Sequence, residues 1–426
     1  MPSPPLSRDD FEVAIICALP TEYNGVSLVF DDLWDNDGDR YGRARGDDNQ
    51  YTTGRIGKWD VILALLPHMG KASAASAAAS MRASYRGLKL ALLVGVCGGV
   101  PHSEHGEVLL GDVVLSETVV QYDFGRQYPV GFVRKNTVGN NLGRANKDIR
   151  GLLAMFKTDL GMDRLEERTA SILRELQAKA ALKRRIGNRY NYPGTDQDTL
   201  FEPAYHHKHR TSAACSCCEH VGDSGSPCDE ALRSSCAVLG CAEDHLVARR
   251  RLEGKRRLQQ GNSAAVQQPA IHVGAVASGD MVMKSGVHRD RIAGKEGVIA
   301  FEMEGAGVWD EVPCIVVKGV CDYADSHKHK GWQDFAAATA ASAAKAMLEQ
   351  YIQSDKIPQA TRSESESTIS TSTTLLTRRQ QRGMILPTRL KLPNTLGRRA
   401  AAQGRHSTGR LQGTTWLQDR RRPEVM

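Results

Sequence analysis

Short, fully apolar runs recur along this chain, and they constrain its fold more than any other feature. FEVAIICAL (residues 11–19) stops at Pro20, WDVILALLP spans Trp59–Pro67, and LKLALLVGVCGG (Leu88–Gly99) runs into glycines. A Ser/Ala-rich stretch of helical character, Lys71–Tyr85, separates the second run from the third. Each run has the length of a strand and is apolar at successive positions, so both of its faces must be covered. Strands of this kind alternating with helices predict an α/β fold around a parallel or mixed sheet. Val108–Gly125 (VLLGDVVLSETVVQYDFG) reads as two further strands.

The pattern stops near residue 137 and resumes at Ala270. There follow the strand and glycine turn of IHVGAVASGD, then FEMEGAG (Phe301–Gly307), the strand PCIVVKGV (Pro313–Val320) and an Ala-rich helix over Trp332–Tyr351. Residues 11–137 and 269–352 therefore read as one discontinuous α/β domain, interrupted by an insertion over 138–268. The insertion has an amphipathic helical part (Asn146–Arg185), a His/Cys-rich part (His206–Cys241) and a basic helical part to about Gln260.

Charge is unevenly distributed. Residues 351–426 hold fourteen Lys/Arg against five Asp/Glu, a net +9 that exceeds the +7 of all 426 residues. The body is thus slightly acidic, and the basic average gives no reason to read it as a nucleic-acid binder. The segment 353–426 is Ser/Thr-rich and then Arg-rich with little apolar periodicity, and it reads as a solvated, disordered tail. It lacks aromatic interleaving and any recognition motif, which argues against a nucleic-acid partner.

The start, MPSPPLSRDD, has neither the basic nor the apolar region of a signal peptide, and no run reaches membrane-spanning length. The expectation is a soluble, cytoplasmic protein without a membrane partner. Cys17, Cys97, Cys314 and Cys321 lie in strand-like runs, where cysteine acts as a small buried hydrophobe, and they suggest a reducing compartment.

Three acids follow apolar strands. Asp322 ends the run from Pro313 in CDYAD, Glu304 stands in Met303-Glu304-Gly305-Ala306, and Glu22 closes ALPTE. Open α/β sheets place ligand crevices at strand C-termini, so the three can line one pocket. Cleavage of a purine–ribose bond passes through an oxocarbenium-like state and needs groups of this kind. A carboxyl at Asp322, its pKa raised by burial, can protonate purine N7; Glu304 can accept the ribose 2′ and 3′ hydroxyls; Glu22 can hold and deprotonate water. Capping of the following helix is the competing role for Asp322 and Asp325, favoured for Asp325 and not for Asp322. Glu302, on the other face of an extended segment, reads as a solvated charge or a salt bridge. GVCGG (Gly95–Gly99) either brings backbone amides to a ligand or makes a tight turn. The chain has no GxxxxGK[ST] and hence no P-loop.

ALPTE, GVCGG, ASGD (Ala277–Asp280), FEMEGAG and CDYAD, in this order, resemble the nucleoside phosphorylase/uridine phosphorylase superfamily. They look most like its methylthioadenosine/S-adenosylhomocysteine nucleosidase branch and related domains of fungal, often NLR-like, proteins. The resemblance covers residues 11–137 and 269–352. It implies a three-layer α/β/α domain around a twisted, partly barrel-like mixed sheet. It also implies Glu22 as the water-activating glutamate, Glu304 as the ribose glutamate, Met303 packed on the sugar and Asp322 as the acid serving N7. Val96 and Gly98 of the glycine turn, with Val282 and Met283 after ASGD, are implied at the substrate, Val282 replacing a common aromatic. Family members commonly form homo-oligomers in which a neighbour completes the pocket.

Relatives that use phosphate supply arginines and a hydroxyl near the first and third strand ends. Here Leu93 and Val96 stand in those places, and Glu22 would repel phosphate. The expected activity is therefore hydrolysis of a purine nucleoside or nucleotide, with no cofactor. Phosphorolysis and non-catalytic sensing within an NLR-like protein are the alternatives. Cys215, Cys217, Cys218, Cys228, Cys236 and Cys241, with His206, His207, His209 and His220, have the ligand types for zinc. Without a paired CxxC spacing, a loop holding no metal is the preferred reading.

Overall fold

The computed structural model describes residues 3–353 apart from 37, 104–105, 211–214, 216–227 and 329. The basic tail, Cys217, Cys218 and His220 lie outside the described residues. The apolar runs become the central strands of a nine-stranded sheet: β1 (Val13–Cys17), β2 (Asp32–Leu33), β3 (Tyr51–Ile56), β4 (Trp59–Leu65) and β5 (Leu90–Gly99). Two short strands, β6 (His102–Ser103) and β7 (Gly106–Glu107), pair apart from this sheet, as do β9 (Gly125–Tyr128) and β10 (Gly131–Arg134). The sheet is completed by β8 (Val113–Gln121), β11 (Ile271–Ser278), β12 (Val298–Glu302) and β13 (Cys314–Asp322).

The order β12-β11-β8-β13-β5 closes on itself, because β12 also pairs antiparallel with β5 through Ala300–Gly99 and Phe301–Gly98. Five mixed strands thus form a barrel, and β1, β4, β3 and β2 extend the sheet beyond β5. β1, β5 and β13 are mutually parallel neighbours, so their C-terminal ends share one edge. All five residues of β1 are buried, as their uninterrupted apolar character requires.

Helices pack against the sheet. α1 (Pro20–Val29) follows β1, and α2 (Lys71–Ser84) follows β4. Between residues 138 and 268 lie α3 (Lys147–Phe156), α4 (Asp159–Ala181), α5 (Cys236–Leu239) and α6 (Arg250–Gln260). α7 (Gly286–Glu296), α8 (Gly305–Val308) and α9 (Gln333–Gln350) follow. The Ala-rich sequence of α9 lets it lie against β13 and β5 while α1 and α4 pack on it.

Segment 138–268 is fastened to the body by polar as well as apolar contacts. Arg168 of α4 pairs with Glu349 of α9 at 2.6 Å. Arg251 of α6 pairs with Asp112, which also accepts from His272 at 3.1 Å. Burial alone would raise the Asp112 carboxyl, but the Arg251 guanidinium and His272 hold it well below the usual range. Two sequence expectations need correction. Val108–Gly125 holds one strand of the main sheet, β8, because Leu109–Asp112 makes a hydrogen-bonded turn before it. Asp325 caps no helix; its Oδ1 accepts from the His327 amide at 2.9 Å, within a turn that precedes α9.

Candidate active site

Glu22, Glu304 and Asp322 reach one cavity of about 190 Å³ at the C-terminal edge of β1, β5 and β13. Val96, Gly98, Val282, Met283 and Met303 line it as well. A larger cavity, about 560 Å³, lies beside Phe201 and Val298, but its one lining carboxylate among the described residues is Asp290. Cavities of about 750 and 640 Å³ lie elsewhere, beside Glu107 and Glu166 and beside Asp31 and Asp32, so volume singles out none of them. Convergent chemistry is the better guide to a site, and it favours the cavity of Glu22, Glu304 and Asp322.

Pro20 opens α1 and places Glu22 in its first turn, directly after β1. The side chain folds back, so that Oε2 accepts from the Ala18 and Leu19 amides at 2.9 and 2.8 Å. Oε1 accepts from the Val96 amide at 2.8 Å. This seat needs the glycine turn, since a Cβ on Gly95 would lie 2.2 Å from Glu22 Oε1. Gly98 does the same for the other acid, where a Cβ would stand 2.8 Å from Asp322 Oδ1. GVCGG therefore seats two carboxylates, and its Val96 N–H is spent on Glu22 rather than on a ligand.

Glu304 lies between β12 and α8, with Oε2 3.2 Å from Lys318 Nζ and Oε1 accepting from the Gly70 amide at 3.4 Å. Gly70 is the N-cap of α2, so that helix presents its positive end to the carboxylate. Lys318 is buried in β13 and lies 4.0 Å from Glu302. Burial opposes its charge, yet Glu304, Glu22 and Glu302 raise its pKa above the ordinary value.

Glu302 is not a solvated charge on the far face. It is buried, lines the same cavity, and its carboxylate accepts from the Glu304 amide at 3.0 Å and the Gly305 amide at 2.9 Å. It thereby braces the turn that carries Glu304. Three buried carboxyl groups share one ammonium, and they cannot all ionise cheaply. Burial pushes the carboxyls of Glu22 and Glu302 up, against the attraction of Lys318.

Asp322 differs from the buried acid expected from sequence. It is half-buried at the end of β13, and its Oδ1 accepts from the Ala324 amide at 2.8 Å and from Lys328 Nζ at 3.1 Å. Ala324 has φ 52°, a left-handed conformation unusual for a residue with a side chain and a sign of a constrained loop. Lys318, Lys328 and the Gly70 amide were missed in sequence. A lone lysine inside an apolar strand near three acids was the available signal for Lys318; Lys328 and Gly70 carried none. The mouth of the cavity is apolar, with Met69, Met281 and Val282 more than half exposed. Among the described residues no arginine lines the cavity.

Residues 12–167 match the model of the phosphorylase superfamily. A protein of Hyaloscypha variabilis named as nucleotide-binding leucine-rich repeat (NLR)-like is 31% identical over 351 residues, 81% of this chain. The chain spans 30% of the length of that relative. Among solved structures, futalosine hydrolase of Helicobacter pylori is similar with a TM-score of 0.44 and 16% identity, over 81% of this chain and 100% of that one. The 5′-methylthioadenosine/S-adenosylhomocysteine nucleosidase of Neisseria meningitidis, in complex with methylthio-immucillin-A, gives a TM-score of 0.42 and 15% identity over 80% and 99%.

Proposed function

Because this chain carries a domain of the phosphorylase superfamily, we propose that it hydrolyses the N-glycosidic bond of a purine nucleoside or nucleotide to free base and a ribose product. The observation that carries this reading is the meeting of Glu22, Glu304 and Asp322 in one cavity at the strand ends. Glu304, held by Lys318 and Gly70, takes the ribose hydroxyls and favours positive charge at the anomeric carbon. Met303 packs on the sugar, and Val282 and Met283 bound the base.

Glu22 takes the proton of the attacking water. A buried carboxyl with a raised pKa is the stronger base once ionised, which suits this role. Asp322 delivers a proton to N7 of the departing base, with the Lys328 ammonium beside it. Water is preferred to phosphate as nucleophile, since no arginine lines the cavity among the described residues and Glu22 adds negative charge where phosphate would sit.

A second reading draws on the NLR-like relative, of which this chain spans 30%. In it the domain senses a nucleoside or nucleotide within a longer protein and turns nothing over. Incubation with a panel of purine and pyrimidine nucleosides and ATP, with and without phosphate, separates the readings by product chromatography. Free base plus ribose without phosphate supports hydrolysis. Ribose 1-phosphate formed only with phosphate makes the protein a phosphorylase, and absence of product with retained binding supports the sensor.

A further inference from the structure

We propose that His207, Cys236, Cys241 and His327 bind one Zn²⁺ as a structural Cys₂His₂ centre, joining segment 138–268 to the loop after β13. The four ligand atoms lie within 4.8 Å of one another, and both histidines are buried. Cys236 Sγ is 3.6 Å from His207 Nδ1 and 3.5 Å from His327 Nδ1. Cys241 Sγ is 3.7 and 3.9 Å from the same two nitrogens. A tetrahedral zinc with ordinary Zn–S and Zn–N bonds sets sulfur and nitrogen about 3.6 Å apart, so the four sulfur–nitrogen separations already match those that the ion requires.

Thiol-to-imidazole hydrogen bonds explain the arrangement less completely. A thiol proton serves one acceptor, whereas each sulfur here approaches both nitrogens. The outer ring nitrogens carry a second, independent signal. His207 Nε2 lies 3.0 Å from the Ser234 carbonyl, and His327 Nε2 lies 2.8 Å from the Tyr205 carbonyl. With no proton of its own, a carbonyl makes each Nε2 the donor, which leaves the Nδ1 lone pairs directed at the cluster. Backbone carbonyls orient metal-binding histidines in this way.

The backbone presents both thiols together for a local reason. Cys236 starts α5, Gly240 ends it with φ 71°, and the Cys241 amide donates back to the Cys236 carbonyl at 3.0 Å. Only a residue tolerant of the left-handed region turns the chain so tightly, and glycine does so at no steric cost. The resulting C-x₄-C pair lies within the spacing of known zinc ligands. Its histidine partners are remote, 29 and 91 residues from Cys236. His209, Cys215 and Cys228 form another group with three donors among the described residues, so the proposal is confined to the tetrad.

The consequence for the cavity is positional. His327 is adjacent to Lys328, whose ammonium pairs with Asp322, and the His207 amide donates to Ser326 Oγ at 3.0 Å. A metal on the tetrad would hold this loop in place without touching substrate.

The test uses the full chain purified under reductant without added metal. Its zinc content is measured, the zinc is removed by chelation, and Co²⁺ is titrated in. The proposal expects bound zinc, visible d–d bands of tetrahedral Co²⁺ and thiolate-to-metal charge transfer. The bands are lost in the Cys236→Ser/Cys241→Ser variant and retained in the Cys215→Ser/Cys228→Ser variant. Absence of tetrahedral bands in the wild-type chain overturns it, as does their persistence in Cys236→Ser/Cys241→Ser. Where that variant fails to fold, retention of the bands in Cys215→Ser/Cys228→Ser still assigns them to the tetrad, and their loss there overturns it.

Discussion

Two buried polar clusters flank the loop after β13, and they are built on opposite plans. The cavity cluster draws Glu22 from the first turn after β1, Glu302 and Glu304 from the end of β12 and the turn beyond it, and Lys318 from within β13, and all three strands pair with β5, so the sheet holds these groups whether or not they interact well. Its charges do not balance, with three acids to one base, and such an arrangement costs stability that a packed apolar core would not. The His/Cys cluster balances donors against acceptors, but His207, Cys236 and Cys241 come from turns and a four-residue helix that nothing in the sheet positions. The difference teaches that the strand edge supplies rigidity for groups kept under electrostatic strain. The segment beyond it must import rigidity through its own side chains.

The sharpest way to break this comparison is to remove the chemistry without disturbing the frame. Asp322→Asn is expected to lower turnover by about 10²–10⁴-fold, the range for loss of a general acid, with an unchanged melting temperature and metal content. Glu304→Gln is expected to cost about 10²–10³-fold, the range for loss of one group that stabilises transition-state charge. Unchanged rates in both variants remove the cavity from the reaction.

Removing the shared cation tests the frame instead. Lys318→Met leaves Glu304 and its neighbours buried without compensation, and denaturant unfolding is expected to register a loss of about 3–5 kcal/mol. A loss under 1 kcal/mol would mean that the carboxyls are not held ionised by Lys318 at all.

The pH dependence is a smaller effect with a definite sign. Glu22 and Glu302 have pKa values raised above the ordinary 4.5, so above that pH these two groups hold more protons in the folded than in the unfolded chain. Their contribution to stability is therefore present at low pH and declines as pH rises through the folded values. Thermal melts across this window should show a shallower decline in Glu302→Gln than in wild type. An equal slope would place Glu302 outside the titrating set. Smallest of all, deletion of residues 354–426 is expected to leave turnover unchanged, and a loss of activity would give the basic tail a part in the site.

The same contrast explains what was legible in sequence. β1, β4, β5 and β13 were readable because strands covered on both faces are written as uninterrupted apolar runs. β3, with the sequence YTTGRI, carries no such run and was missed, and β12 was hidden because VIAFE merges into the acidic motif that follows it. Glu22, Glu304 and Asp322 were legible as acids that follow apolar strands. Their partners Gly70 and Lys328 were not, because each contact joins segments whose proximity only the closed barrel and its loops create. The His/Cys tetrad was half legible, as a clustering of cysteines. His327 stood unnoticed in DYADSHK, since a ligand 91 residues from Cys236 leaves no spacing to read.

The proposed hydrolysis requires the cavity acids to act together on an N-glycosidic bond. Its most direct test is the rate of base and reducing-sugar release from a purine nucleoside in phosphate-free buffer, measured for wild type and for folded Glu304→Gln side by side. Wild type is expected to release equimolar base and sugar, and the variant to do so at a rate lower by about two orders of magnitude or more. Equal rates in the two proteins, or no release by wild type from any purine nucleoside, would contradict it.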